Sequence, residues 1–210
     1  TNRVLDPSGT STAGWSGVYQ FDHVEVGTTA PDAGSTFIKL FRAGGFGSVS
    51  ARLAADSGVS PGDKLSFTLR ARNGATRAGV RFLDGSGALV GDVWGPTTAA
   101  PSFPSWADIA SGVITAPPRA AQAFPMVEGM ALNSGQSWWE VDSFLFYDNP
   151  HGIPVPYFDG GSTLTGYTIV WRGAVNGSAS TRTPLQPSDP GSVIWRAGVS
   201  GLEFLRPLLQ

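Results

Sequence analysis

Residues 59–92, VSPGDKLSFTLRARNGATRAGVRFLDGSGALVGD, decide how this chain is read. From Lys64 to Arg72 polarity alternates. Leu65, Phe67, Leu69 and Ala71 fall on one side, and Lys64, Ser66, Thr68, Arg70 and Arg72 on the other. A period of two belongs to an extended strand with one face in a core and the other in water. Pro61-Gly62 supplies the turn before this strand and Asn73-Gly74 the turn after it. A second strand is expected from Gly79 to Asp84, closed by Asp84-Gly85-Ser86-Gly87. Two strands bounded by such turn residues read as an antiparallel pair.

Working outward, Val18 to Val26 reads as a strand of mixed polarity. Thr36 to Arg42 carries bulk on both faces and is expected to be central. Ser48 to Leu53 turns Val49, Ala51 and Leu53 inward. Val113 to Thr115 is short. Ala121 to Val127 contains Pro125, which suits an edge strand, and Met130 to Ser134 is its expected partner. Trp138 to Asp148 closes the series. Trp94 to Pro104 reads as a loop, and Trp106 to Ser111 as either one helical turn or the lead-in to a strand. These add up to about eight or nine strands at the spacing of a β-sandwich.

Composition agrees. At 210 residues the chain can bury a core without staples. Its 28 Gly and 16 Pro favour a turn-rich β protein, while 41% hydrophobic residues argue against disorder. A net charge of −2 gives no basic footprint for nucleic acid. No apolar run approaches the ~18 residues of a membrane-spanning helix, so no membrane insertion is expected. With no cysteine there are no disulfides and no thiolate metal ligands. Thr1 in place of an initiator Met reads as an excised or processed piece.

The stretch V-S-P-G-D, alternating strand, V-R-F-L-D-G-S-G resembles the middle of carbohydrate-binding modules of the four/nine group. Leu5-Asp6-Pro7-Ser8 with Ala13-Gly14-Trp15 resembles that group's opening segment. Trp106 with Gly112-Val113-Ile114-Thr115-Ala116-Pro117, and Val141-Asp142-Ser143-Phe144-Leu145-Phe146-Tyr147, resemble its later strands. The resemblance covers residues 1–149. It implies an all-β jelly-roll sandwich that holds sugars without cleaving them. It also implies a structural Ca2+, with Asp6 and Asp142 as candidate ligands. Where the group carries an opening Glu, this chain reads Asp6-Pro7-Ser8-Gly9-Thr10.

Three prolines in residues 150–156 mark a stiff linker. Beyond it, residues 157–186 hold a small β module, with a strand from Thr165 to Trp171 that is too short to bury a core alone. Its aromatic and glycine pattern, from Tyr157-Phe158-Asp159-Gly160 to Gly166-Tyr167-Thr168 and Trp171-Arg172-Gly173, resembles a module of minor tail proteins of phages that infect actinobacteria. In residues 187–210, Val199, Leu202, Leu205 and Leu209 recur at helical spacing. This segment is read as a short terminal helix or the opening of a further tail domain.

Catalytic signals are weak. Gly58-Val59-Ser60-Pro61-Gly62 has the form of a nucleophile elbow, but Pro61 has no N–H for an oxyanion hole and a strand follows it. Gly45-Phe46-Gly47 lacks the rest of a dinucleotide fingerprint. Of four Glu residues, Glu128 and Glu140 are the acid pair to check against glycosidase geometry. Sugar-contact candidates are Trp94 and Trp106, which flank a Pro-rich loop, and Trp138 of the Trp138-Trp139 pair, with Arg70 and Arg81 on wet strand faces. The chain thus reads as a non-catalytic phage minor tail component that binds host surface polysaccharide from the virion, outside the host cell. Other tail proteins and further copies of itself are its expected partners. The alternatives are a structural tail-assembly domain and the ancillary sugar-binding domain of a secreted glycosidase.

Overall fold

The computed structural model describes residues 1–6, 9–32, 35–44, 47–152, 155, 157–158, 167–172 and 179–184. Among them the chain is all-β. Sheet I runs in the order β1 (Trp15–Tyr19), β4 (Val49–Leu53), β11 (Gln122–Leu132), β6 (Gly74–Leu83), β7 (Leu89–Trp94), and the short β8 (Thr98–Ala99) also pairs with β6. Sheet II runs β10 (Ile114–Thr115), β5 (Lys64–Arg72), β12 (Trp139–Asp148), β3 (Phe37–Arg42), β2 (Phe21–Gly27), and β9 (Ala107–Ala110) also pairs with β5. β13 (Tyr167–Trp171) and β14 (Ser180–Pro184) form a separate hairpin. The two larger sheets pack face to face as a jelly-roll sandwich.

Alternation assigns the faces. Leu65, Phe67, Leu69 and Ala71 of β5 meet Ala78, Val80 and Phe82 of β6 across the core, with Ala51, Leu53, Val127, Phe144 and Phe146 around them. Each large apolar side chain buried there contributes about 1.5–3 kcal/mol. Trp139 is 0% exposed and lies between the sheets against Gly129, where an added Cβ would come within 2.4 Å of the indole. A side chain at Gly129 would therefore displace the largest group in the core.

The expected pairing of the strands around Asn73-Gly74 is wrong. β5 belongs to sheet II and β6 to sheet I, so the dipeptide is a corner that carries the chain across the sandwich. Asn73 takes the left-handed conformation at φ 73°. Its N–H donates to the Pro101 carbonyl, its carbonyl accepts from Asn133 N–H, and its side-chain oxygen accepts from Phe103 N–H. Those partners hold the strand ends apart where a hairpin would join them. β6 also begins at Gly74, five residues before the expected start.

Pro125 does not mark an edge strand. β11 is one continuous strand between β4 and β6, and it takes in the separate strand expected from Met130. The ladder with β4 begins only at Met126, so Pro125 sits where β11 has a single neighbour. The expected strand over residues 18–26 is broken by Gln20, at φ 44°, into β1 and β2 in different sheets. Trp94 ends strand β7, and the segment after Trp106 is the strand β9.

The β13–β14 hairpin leans on the outer face of sheet II. Leu145 and Tyr147 of β12 pack with Phe158, Val155, Tyr157 and Ile169. Asn2 joins the two parts. It pairs with Ser180 of β14 through both main-chain groups, at 2.8 and 3.0 Å. Its buried side chain donates to the Phe144 and Phe158 carbonyls and accepts from Val4 and Phe146 N–H. The boundaries expected at 150–156 and 186–187 fall wholly or partly outside the described residues, as does the helical segment expected over 187–210. Asn2→Ala strands buried donors and acceptors on both parts, and is expected to lower unfolding free energy by at least ~2 kcal/mol in urea titration.

Candidate functional site

The side chains singled out from sequence divide between two opposite surfaces. Trp94 and Arg81 lie on the outer face of sheet I. Trp106, Trp138 and Arg70 lie on the outer face of sheet II. The structure does not bring the five together.

On sheet I, the outward positions of neighbouring strands line up in rows. One row is Trp94 on β7, Gly79 on β6, Met126 on β11, Arg52 on β4 and Ser16 on β1. The next is Arg77, Glu128, Ser50 and Tyr19, the last 54% exposed. On the other side lie Asp92, Arg81 and Phe124. Trp94 lies against the main chain at Gly79, where a Cβ would come within 2.4 Å of the ring. The Arg77 guanidinium stands 4.7 Å from the Trp94 ring centre and pairs with Glu128. Arg52 stands 4.8 Å from the Phe124 ring centre. Arg81 donates to both Asp92 oxygens at 2.7 Å, and this contact holds its pKa above the ordinary value, against a smaller opposing effect of burial. Guanidinium groups stacked on rings keep their N–H edges available to oxygen acceptors.

On sheet II the outward residue Arg72 is 0% exposed. It pairs with Glu140 and donates to the carbonyls of Thr29, Ala30 and Pro104. Phe37, Phe103 and Trp106 surround it at 4.9, 4.8 and 4.1 Å. Trp106 Nε1–H donates to the Ala30 carbonyl and Trp138 Nε1–H to Glu140. Lys39 sits 5.0 Å from the Trp138 ring centre, with Phe41 tilted beside it. A cleft of about 410 Å3 remains above the Arg72–Glu140 pair, walled by Thr28, Thr29, Phe103, Gln136 and Trp138. Arg70 is held by Asp32 and Asp108.

Glu128 lies on the outer face of sheet I and Glu140 on that of sheet II, so these two acids do not flank a common bond. Asp6 accepts from Thr10 N–H, Thr10 Oγ1–H and Ser11 N–H at 3.0, 3.0 and 2.7 Å. Asp142 is buried and accepts from the main-chain N–H groups of Asp32 and Ser143 at 2.8 and 2.6 Å. Both candidate calcium ligands thus hold main-chain donors. Among the described residues no three His, Cys, Asp or Glu side chains are grouped to hold a metal ion.

Arg52, Arg77, Phe124 and Glu128 were not read from sequence as contacts on one surface. The signal existed, because Arg77, Gly79 and Arg81 alternate with Ala78, Val80 and Phe82. It was lost by starting β6 at Gly79. Two outcomes are expected here. Arg72→Met leaves Glu140 buried without its cation and costs ~3–5 kcal/mol in denaturant titration, and adding Glu140→Leu recovers part of the loss. If Asp6 and Asp142 take part in holding a structural Ca2+, EDTA lowers the thermal midpoint and added Ca2+ restores it; a midpoint unmoved by either removes the calcium expectation.

No family model matches the sequence, and no curated protein matches it. The fold is similar to that of the CBM22-1-GH10 modules of endo-1,4-β-D-xylanase 10B from Clostridium thermocellum, solved with xylohexaose (TM-score 0.53, 10% identity, covering 72% of this chain and 28% of that one). It is also similar to the enzymatically active domain of tailspike protein 4 of bacteriophage CBA120 (TM-score 0.50, 21% identity, covering 69% of this chain and 21% of that one). A third neighbour is a cyclase from Fischerella sp. TAU in complex with 4-(1H-indol-3-yl)butan-2-one (TM-score 0.50, 12% identity, covering 68% of this chain and 88% of that one). This chain therefore spans about a fifth of the tailspike domain and just over a quarter of the xylanase chain. At these identities the likeness establishes the fold alone: a sandwich shared by carbohydrate-binding modules, a phage tailspike and a cyclase.

Proposed function

We propose that the outer face of sheet I binds polysaccharide without cleaving it, and that the protein is a carbohydrate-binding minor component of a phage tail, acting outside an actinobacterial host cell. The observation that carries this reading is the contrast between the two outer faces. That of sheet II is covered by the hairpin at one end and at the other narrows to the cleft of about 410 Å3 above the Arg72 cluster, whose charges are already paired. That of sheet I has no such cover among the described residues. It presents Trp94, Phe124 and Tyr19 beside arginines and carboxylates across five strands. Aromatic surface and fixed hydrogen-bonding groups are what a pyranose needs, with C–H faces for the first and hydroxyls for the second.

Two further points support the reading. Glu128 and Asp92, the carboxylates of this face, are each held by an arginine, which suits binding and leaves neither poised as a general acid. The order of sandwich, proline-rich linker and tail-like β module supports placement in a tail, as does the fold shared with a tailspike domain. Several copies on one particle would turn weak single sites into firm attachment.

A second reading, a structural tail-assembly domain, draws on a specific observation. Trp94, Trp106 and Trp138 each carry a protein cation against the ring. A glycan array followed by calorimetry separates the two. Under carbohydrate binding, Trp94→Ala lowers affinity at least ~10-fold while Trp138→Ala leaves it unchanged. A blank array for folded wild-type protein selects the assembly reading.

A further inference from the structure

Resting on that open-face reading, we propose that the polysaccharide is acidic, and that Arg52 recognises its carboxylate groups. The charges of the face do not cancel. Arg52, Arg77 and Arg81 stand against Glu128 and Asp92, so three positive charges less two negative leave one over. The surplus has a definite place. Arg77 is committed to Glu128, and Arg81 holds both oxygens of Asp92. Arg52 has no carboxylate and no hydrogen-bond acceptor among the described residues, and its contact is the Phe124 ring.

Its placement suits a ligand. Arg52 is half-buried on β4, in the same cross-strand row as Trp94. Three strand spacings separate them, about 14 Å, a distance that a polymer lying across the strands bridges. Between them, Gly79 lies under the Trp94 ring and Met126 is fully buried. The Phe124 ring holds the guanidinium plane and reduces the freedom lost when it binds. A guanidinium fork meets a carboxylate through two parallel hydrogen bonds, and a charged partner roughly doubles the strength of each relative to a sugar hydroxyl. The neutralised pairs on either side then serve hydroxyl groups, and Arg52 supplies the preference for acid.

The test uses the full chain on an array carrying neutral xylose and hexose oligomers beside uronate-containing ones. The best acidic and best neutral binders are then measured by calorimetry at low and high salt, with wild type and with Arg52→Gln, which keeps the apolar stem over Phe124. The expected result is a preference for uronate glycans that falls as NaCl rises, and a ~10-fold loss on Arg52→Gln that is confined to them. Salt dependence of the wild type alone bears on the claim if the variant fails to fold. Signals confined to neutral glycans would overturn acidic recognition and leave the open-face reading standing. So would uronate binding that neither salt nor Arg52→Gln weakens. A blank array would overturn both.

Discussion

The buried guanidinium of Arg72 organises the outer face of sheet II. Alternation along β5 puts Arg72 on the wet face with Ser66, Thr68 and Arg70. A cation there would ordinarily stay in water, since desolvating it costs several kcal/mol. Here Glu140, three main-chain carbonyls and three aromatic rings replace that water. The carbonyls belong to the segments around residues 29–30 and 104, so the same contacts that neutralise the charge pin two loops over sheet II. The hairpin covers the other end through Leu145 and Tyr147. Sheet I carries arginines too, but each keeps part of its side chain exposed and faces outward with a carboxylate or a ring. One residue type is thus packed into one face and presented on the other, and the difference lies in what the neighbouring loops bring to it.

Much of the architecture was legible because strand alternation is a local property. The inward set Leu65, Phe67, Leu69 and Ala71 is the core set observed, and the bulk on both faces of β3 marked it as an inner strand. What failed was long-range. Asn73-Gly74 has the composition of a hairpin turn, yet its backbone is fixed by Pro101, Phe103 and Asn133, which are remote in sequence. Local turn chemistry specifies that the chain bends; tertiary partners specify into which sheet it goes. Pro125 failed for a related reason. The rule that confines proline to edges concerns one N–H, and a central strand can still have a single neighbour at one residue.

The candidate site was less legible than the fold. Trp94, Trp106 and Trp138 look alike in sequence, and only the sheet order shows that the first lies on one face and the other two on the opposite one. Asn2 was invisible for the same reason. A single Asn near an end, in polar surroundings, gives no hint that it bridges a sandwich strand and a hairpin some 180 residues away. Its side chain satisfies two carbonyls and two N–H groups that would otherwise be buried without partners, so the hairpin's position depends on the first residues of the chain. The N-terminal segment therefore links the face that is covered to the element that covers it.

Pre-paired charges on the open face have a consequence for how it would hold a polymer. A carboxylate already neutralised by arginine keeps lone pairs for hydroxyl donors without the desolvation cost of a bare charge. Replacing water on such a pair loses little, and each contact gains little, so a ligand spread over several rows binds by the sum of many modest terms and releases quickly. A deep cleft with one strong contact would behave in the opposite way. For a surface that acts in multiple copies, fast single-site release with slow release of the whole is an advantage, because local detachment permits rebinding at a neighbouring repeat. The charge-balanced pairs and the single unbalanced arginine on β4 thus have separate roles under this reading: the first set the reversibility, the second the choice of glycan.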